Sequence, residues 1–272
     1  MITITQRHIG LFDLHIPHHI KLDGVYKFIE NYKPTHLILG GDYLDCQYAS
    51  HWQEKAFTLL GLEKISKCLH QEFEEGKKVL RELNSILPKD CKKYYIPGNH
   101  ELFLLWACMT YPAIAGSVDL GANKITFRSD LDKIKNKILA NLIVKFLDAN
   151  ILGYRVLPYN KELILGKLLY THGHQVNTMT ALKKRYPAVS VVAGHHHSHV
   201  VDTLHNSGNN SRAIQYVQVP CLCKLSPGYL KDGSTRWLGG FWAADVLSNG
   251  MFAGHVVKVL DGRVVEGGRV YE

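Results

Sequence analysis

Apolar and polar positions in this chain follow two rhythms, and the order in which they alternate predicts its architecture. Residues 7–12 form a run of strand length that stops at Asp13. Leu22, Val25, Phe28, Ile29 and Tyr32 then recur at helical spacing until Lys33-Pro34 ends the helix. Leu37-Ile38-Leu39 is a second strand, apolar on both faces. The opening unit is therefore β-α-β, with parallel strands and a right-handed crossover. Residues 53–87 place Leu62, Ile65, Leu69, Phe73, Leu80, Leu83 and Leu87 at three- and four-residue steps, a long helix that Gly76 is expected to kink or divide. Tyr94-Tyr95-Ile96 is a third strand, halted by Pro97-Gly98. Residues 110–130 show no period and read as a surface excursion, a lid over a site. A helix over residues 131–148 follows, with Leu131, Ile134, Ile138, Leu142 and Phe146 inward.

From residue 151 the rhythm shortens. Residues 162–165 and 167–170 are β-prone runs joined by Gly166 as a hairpin, and 190–193 and 213–219 are further strands. A short helix is expected at 178–186 and a loop or hairpin tip at 206–211. Residues 237–246 and 251–259 pair around the turn Ser248-Asn249-Gly250. This order fits an α/β fold with two sheets inside and helices outside, in one domain spanning 1–272 with a β-rich part over 200–272.

Composition changes the picture modestly. The chain of 272 residues is 46% hydrophobic and 21% charged, enough for a full core. No basic-then-apolar leader and no run long enough to span a bilayer stands in it, which predicts a cytoplasmic protein without a membrane partner. Six dispersed cysteines lack the paired spacing of a zinc site and read as reduced thiols. Cys221-x-Cys223 could bind metal, but on a strand the two thiols would share one face without partners, and they read first as small buried apolar groups. The formal net charge of +8 favours an anionic partner, although the basic residues are dispersed over solvated faces.

The chemistry sits where apolar runs end. Ile38-Leu39-Gly40-Gly41-Asp42 delivers a carboxylate to the C-terminal edge of a strand, where open α/β sheets build their sites. Four other stretches repeat that grammar: Asp13-Leu14-His15, Gly98-Asn99-His100-Glu101, His172-Gly173-His174 and Gly194-His195-His196-His197. Asp, His and Asn donors without a thiolate suit a divalent ion of intermediate softness, such as Mn, Fe, Zn, Co or Ni. A pair of ions about 3.5–4 Å apart with a bridging carboxylate needs seven or eight groups. Asp13, His15, Asp42, Asn99, His172, His195 and His197 supply them. Period-two geometry at strand ends would put both members of Asp-x-His and of His-x-His on one face. The glycines before Asp42, Asn99 and His195 would let the backbone turn tightly.

These five motifs, in this order over residues 8–197, resemble the calcineurin-like metallophosphoesterase superfamily. The likeness is to its compact stand-alone bacterial and bacteriophage members, and it implies a four-layer α-β-β-α sandwich. It also implies that Asp13, His15 and His197 hold one ion, that Asn99, His172 and His195 hold the other, and that Asp42 bridges them, manganese being the first choice. His100 matches the family's non-ligand histidine, which contacts the phosphate or protonates the leaving oxygen. The implied reaction is in-line attack on phosphorus by a metal-bound hydroxide.

Around this set the readings divide. Asp45 is either a hydrogen-bond acceptor behind a ligand or a helix N-cap. Glu101 either orients His100 or opens the next helix. His174 is an edge contact or a solvent-facing neighbour, and His196 and His199 are surface or packing residues. His18 and His19 sit in a loop expected to border the cleft, as do Tyr48, His51 and Trp52, Trp52 being read first as core. The Arg-Gly that follows Gly-Asp-x-x-Asp in the family's protein phosphatases is replaced here by Cys46-Gln47, against a phosphoprotein substrate. The expected activity is a phosphodiesterase on nucleotides, DNA or RNA. A broad phosphomonoesterase is the alternative within the class, and a non-catalytic scaffold or nucleic-acid-binding module the alternatives outside it.

Overall fold

The computed structural model describes residues 1–50, 54–110, 128–206, 212–226 and 236–272. Strands β1 (Ile4–Leu11), β2 (His36–Leu39), β3 (Lys92–Tyr95) and β4 (Tyr154–Val156) run parallel. Antiparallel to β1 lies β10 (Gly240–Leu247), followed by β11 (Phe252–Leu260), β12 (Arg263–Glu266) and β13 (Arg269–Tyr271), which complete an eight-stranded sheet. A five-stranded sheet has the order β5 (Leu163–Leu165), β6 (Leu168–Thr171), β7 (Ser190–Ala193), β9 (Arg212–Gln218) and β8 (Val200–Asn206), with β6, β7 and β9 parallel. Five helices are described: α1 (Asp23–Tyr32), α2 (Glu54–Ile86), α3 (Glu101–Thr110), α4 (Arg128–Leu147) and α5 (Met179–Arg185).

Side-chain alternation assigns the layers. In β2, Leu37 and Leu39 join the cluster packed under α1 to α4, while Ile38 points into the cluster between the sheets. β7 repeats this, Val192 facing the other sheet and Val191 and Ala193 facing Leu182 of α5. The result is the expected α-β-β-α sandwich of two mixed sheets.

Several expectations are corrected. Gly76 neither kinks nor divides α2; its carbonyl accepts from the Tyr43 hydroxyl at 2.6 Å, and a Cβ there would sit 2.9 Å from Leu147. Glycine serves close packing rather than a break. α4 begins at Arg128, earlier than the periodicity suggested, and residues 111–127 of the expected lid lie outside the described residues. So do residues 207–211 of the expected loop, together with His51 and Trp52. The strands β4, β8, β12 and β13 had no counterpart in the apolar pattern. At the end of α1, Lys33 takes the left-handed conformation (φ 53°) and its N–H donates to the Ile29 carbonyl, before Pro34 forbids another turn.

Candidate metal centre

The site lies beyond the C-terminal ends of β1, β2, β3, β6 and β7, and the loops there extend the sheet's pairing. Asp13 N donates to the Gly41 carbonyl at 3.1 Å and His15 N to the Asp42 carbonyl at 2.9 Å, so the first two motifs run side by side. The donors do not alternate on strands as the period-two reading required. Asp13, His15, Asp42, His195 and His197 all have positive φ, between 46° and 72°. Left-handed backbone at non-glycine residues is costly and collects at functional sites. Here it turns consecutive motifs toward one point. Only Gly41 precedes its donor with a positive φ (100°); Gly98 and Gly194 are needed for room, because a Cβ would collide with Asp42 and with Asp13 respectively.

All seven expected donors converge. Asp42 Oδ2 lies 3.1 Å from His172 Nε2 and 3.8 Å from His15 Nε2. Asp13 Oδ1 lies 3.4 Å from His197 Nε2, and the Asp13 carboxylate accepts His195 N at 2.9 Å. Asn99 Oδ1 is 3.0 Å from His172 Nε2. Donor atoms fall into sets within 4.8 Å of one another, including His15–Asp42–His100 and Asp42–His172–His195; Asp42 belongs to both.

The arrangement fits divalent cations on two counts. His172 Nδ1 donates to the Gly40 carbonyl at 3.1 Å, so in the neutral ring Nε2 presents a lone pair to two acceptor oxygens, of Asp42 and Asn99. Three acceptors facing one another call for a positive charge between them. His15 Nε2 is buried without a hydrogen-bond partner while its Nδ1 is held by Asp45 Oδ1 at 2.9 Å. A carboxylate behind an imidazole whose other nitrogen faces the site is the usual support of a metal-ligating histidine.

Electrostatics reports the same demand. Burial lowers the His172 imidazole, but Asp42 and Asp13 outweigh it and push it up to about 9. The same opposition of burial with Asp13 takes His197 up to about 10, and of burial with Asp42 and Asp45 takes His100 to about 10. Burial acts against ionisation of Asp42, yet His172, His100 and His15 hold it well below the usual carboxylate range. The buried carboxylates thus draw positive charge toward the imidazoles that face them. His195, where burial and His172 act together, falls to about 4.

The surrounding residues sort as follows. Asp45 is an acceptor behind the site: its carboxylate takes His15 and its carbonyl takes His100 Nδ1 at 2.7 Å, while Cys46 caps the following 3-10 turn, so the N-cap reading fails. Glu101 opens α3, but its carboxylate does not orient His100; it accepts Tyr43 N, Leu44 N and the Tyr95 hydroxyl on Oε1, and Gly98 N on Oε2. It ties the Asp42 loop to the Asn99 loop. His174 sits at the edge, its Nε2 near the Tyr159 hydroxyl (3.0 Å) and Asn160 Oδ1 (2.8 Å), its ring 5.5 Å from that of His172. His18 borders Asp45 at 3.7 Å and is half exposed, whereas His19 is partly buried with an unpaired Nδ1. His196 donates Nε2–H to the Val176 carbonyl at 3.0 Å, and His199 and Tyr48 are exposed.

One neighbour, set aside on the sequence for want of partners, has them in the fold. Cys223 Sγ lies 3.8 Å from His197 Nδ1 and forms a third donor set with His15 and His197, so the donors within reach include a thiol. The signal was present: β9 ends at Gln218, and beyond Val219-Pro220 the segment Cys221-Leu222-Cys223 follows with the same strand-then-donor grammar. Leu222 N bonds the carbonyls of Phe12 and Asp13, drawing that segment against the first motif.

Among the described residues no helix is long and apolar enough to cross a membrane. No curated protein matches the chain. Among solved structures it is similar to Vps29 of Chaetomium thermophilum, with 11% identity, 94% of this chain and 100% of that chain covered, and a TM-score of 0.40. It is also similar to a predicted phosphoesterase of Streptococcus pneumoniae TIGR4, with 11% identity, 97% and 95% coverage and a TM-score of 0.37. The calcineurin-like phosphoesterase model matches residues 13–208, from the first donor to beyond the last, and the chain belongs to that family.

Proposed function

We propose that the chain hydrolyses phosphodiester bonds of nucleotides or nucleic acid with two divalent ions, manganese first. Asp13, His15 and His197 would hold one, Asn99, His172 and His195 the other, and Asp42 both. The observation that carries this reading is the membership of Asp42 in two donor sets at once. Bound there, the ions would withdraw charge from a phosphoryl oxygen and acidify a water to a pKa near 7.

The chain's own groups do the rest. Asp42 Oδ1 accepts His100 N at 2.8 Å, which locks the carboxylate's orientation and leaves Oδ2 toward His172 and His15. Asp45 fixes the His15 tautomer. His100 spends Nδ1–H on the Asp45 carbonyl, so Nε2 is the atom from which a proton passes to the leaving oxygen. Glu101 holds the Asp42 and Asn99 loops at constant separation.

Metal analysis and a substrate panel test the reading. The wild-type protein should carry two ions and hydrolyse bis-nitrophenyl phosphate with manganese and not with chelator. Asp42→Asn should lose tight occupancy of both positions; two ions retained in that variant would remove the bridging role. His100→Ala should keep its metal and lose about 10²–10⁴-fold in kcat; turnover near wild type would take His100 out of the reaction. Faster hydrolysis of nitrophenyl phosphate than of the diester would favour the phosphomonoesterase alternative.

A further inference from the structure

We propose that the open cavity beside His197 is a nucleoside subsite, in which Trp237 stacks on the base of a nucleoside phosphate whose phosphate lies at the donor cluster. The proposal rests on the phosphoesterase reading for the position of the phosphate and goes beyond it in naming what the phosphate carries. The cavity measures about 820 Å³ and is bounded by Asn177, Thr178, His196, Gln218, Arg236 and Trp237. Pockets for small ligands and cofactors run from about 300 to 1,000 Å³.

Three contacts tie this cavity to the centre. The Trp237 ring meets the His197 ring at 4.2 Å between centroids, inclined at 60°. Leu238 N donates to the His197 carbonyl at 2.9 Å and the Leu238 carbonyl accepts Cys221 N at 3.1 Å, so the backbone that carries Trp237 is fastened to the loop that carries His197. His196, between two expected ligands, is pinned through Nε2 to the Val176 carbonyl, which joins the ligand loop to the wall formed by Asn177 and Thr178. A ligand with its phosphate at the donors has this cavity as its neighbour.

The lining matches a base better than an aliphatic or peptide group. An indole offers a flat π surface, on which bases stack without needing a particular sequence. The Asn177 amide offers both donor and acceptor. Thr178, whose oxygen caps α5 at Ala181 N, and Gln218, whose Oε1 faces Ser198 Oγ, add a hydroxyl and an amide N–H donor, so the lining has both kinds of group, as the mixed edge of a base requires. Arg236 is an exposed cation at the rim, in a chain of formal net charge +8. A sugar ring also packs on indole, so the test separates base from sugar.

Equilibrium titration of the full manganese-loaded chain with adenosine 5′-monophosphate and with ribose 5-phosphate isolates the base. The nucleotide should bind about 5- to 150-fold more tightly, the range for one stacked base. Trp237→Ala should collapse that ratio toward one, Trp237→Phe should restore most of it, and Arg236→Gln should weaken binding of both ligands. Because each ratio compares two ligands on one variant, a disturbance of His197 cancels. Equal affinities in the wild type, or a ratio that survives Trp237→Ala, overturns the subsite. A 5′-phosphorylated pentaadenylate binding more tightly than the mononucleotide identifies a strand end as the ligand; equal binding identifies a free nucleotide, and both support the proposal. Hydrolysis of bis-nitrophenyl phosphate is measured alongside. Turnover without base-dependent affinity keeps the phosphoesterase reading and overturns the subsite; base-dependent affinity without turnover does the reverse.

Discussion

Asp45 decides what His15 can offer. Its carboxylate, held below the usual range by His100 and His15 against the opposing effect of burial, accepts the hydrogen bond from His15 Nδ1–H and leaves Nε2 bare toward Asp42. Asp45→Asn, able to present an N–H to Nδ1, should favour the wrong tautomer and weaken manganese binding about 10–100-fold in a competition titration with a chelating dye; unchanged affinity would make Asp45 a bystander. Glu101 is a second such residue. Its four accepted bonds need an acceptor on both oxygens, so Glu101→Gln must point an amide at a backbone N–H. A loss of about 1–3 kcal/mol in urea unfolding is expected. The donors themselves were legible because each follows an apolar run. Their left-handed backbone was not: Asp and His tolerate positive φ better than most residues, but that tolerance marks no particular position, and at Asp13, His15 and His197 the surrounding loops impose it. Cys223 was passed over because its partner, His197, is brought to it only by the tertiary fold.

Among the elements, legibility follows length and burial. α1 and α2 are long, and β2, β6 and β7 are short but mostly apolar and buried, so their patterns survive any context; β3, Lys92–Tyr95, was legible only through its tyrosines. β12 and β13 alternate weakly and owe their existence to packing on α1. Gly24 records that contact: a Cβ there would lie 2.5 Å from the Tyr271 carbonyl and 2.6 Å from that of Gly262. Both obstacles are backbone, so the hairpin would have to move. Gly24→Ala raises intrinsic helix propensity, yet it should lower stability by about 1–3 kcal/mol through overpacking. Thermal melts that show stabilisation would mean the C-terminal hairpin is not seated on the helix.

Across the whole molecule, two buried groups set opposite limits on the pH range of stability, and both lie outside the donor set. His8, on β1, bridges to the second sheet: Nδ1 accepts from the Tyr170 hydroxyl at 2.8 Å and Nε2–H donates to Gln6 Oε1 at 2.8 Å, a neutral ring fully satisfied. Burial, with His36 beside it, lowers it from 6.5 to about 3. The unfolded chain therefore binds the extra proton first, and the stability it contributes is complete above pH 6.5 and lost as pH falls toward 3. Glu72, on α2, accepts Cys46 N at 2.7 Å, and burial lifts it from 4.5 to about 8. Here the folded state binds the proton, so the stability is present below pH 4.5 and lost as pH rises through about 8. Each shift is worth on the order of a few kcal/mol at its limit. Melts of the chelator-treated protein from pH 4 to 9 should trace a dome, with Glu72→Gln flattening the alkaline limb and His8→Gln the acid one. A Glu72→Gln profile that falls with pH as steeply as wild type would show that Glu72 is already ionised in the folded chain, and that the α2 contact at Cys46 holds a carboxylate rather than an acid.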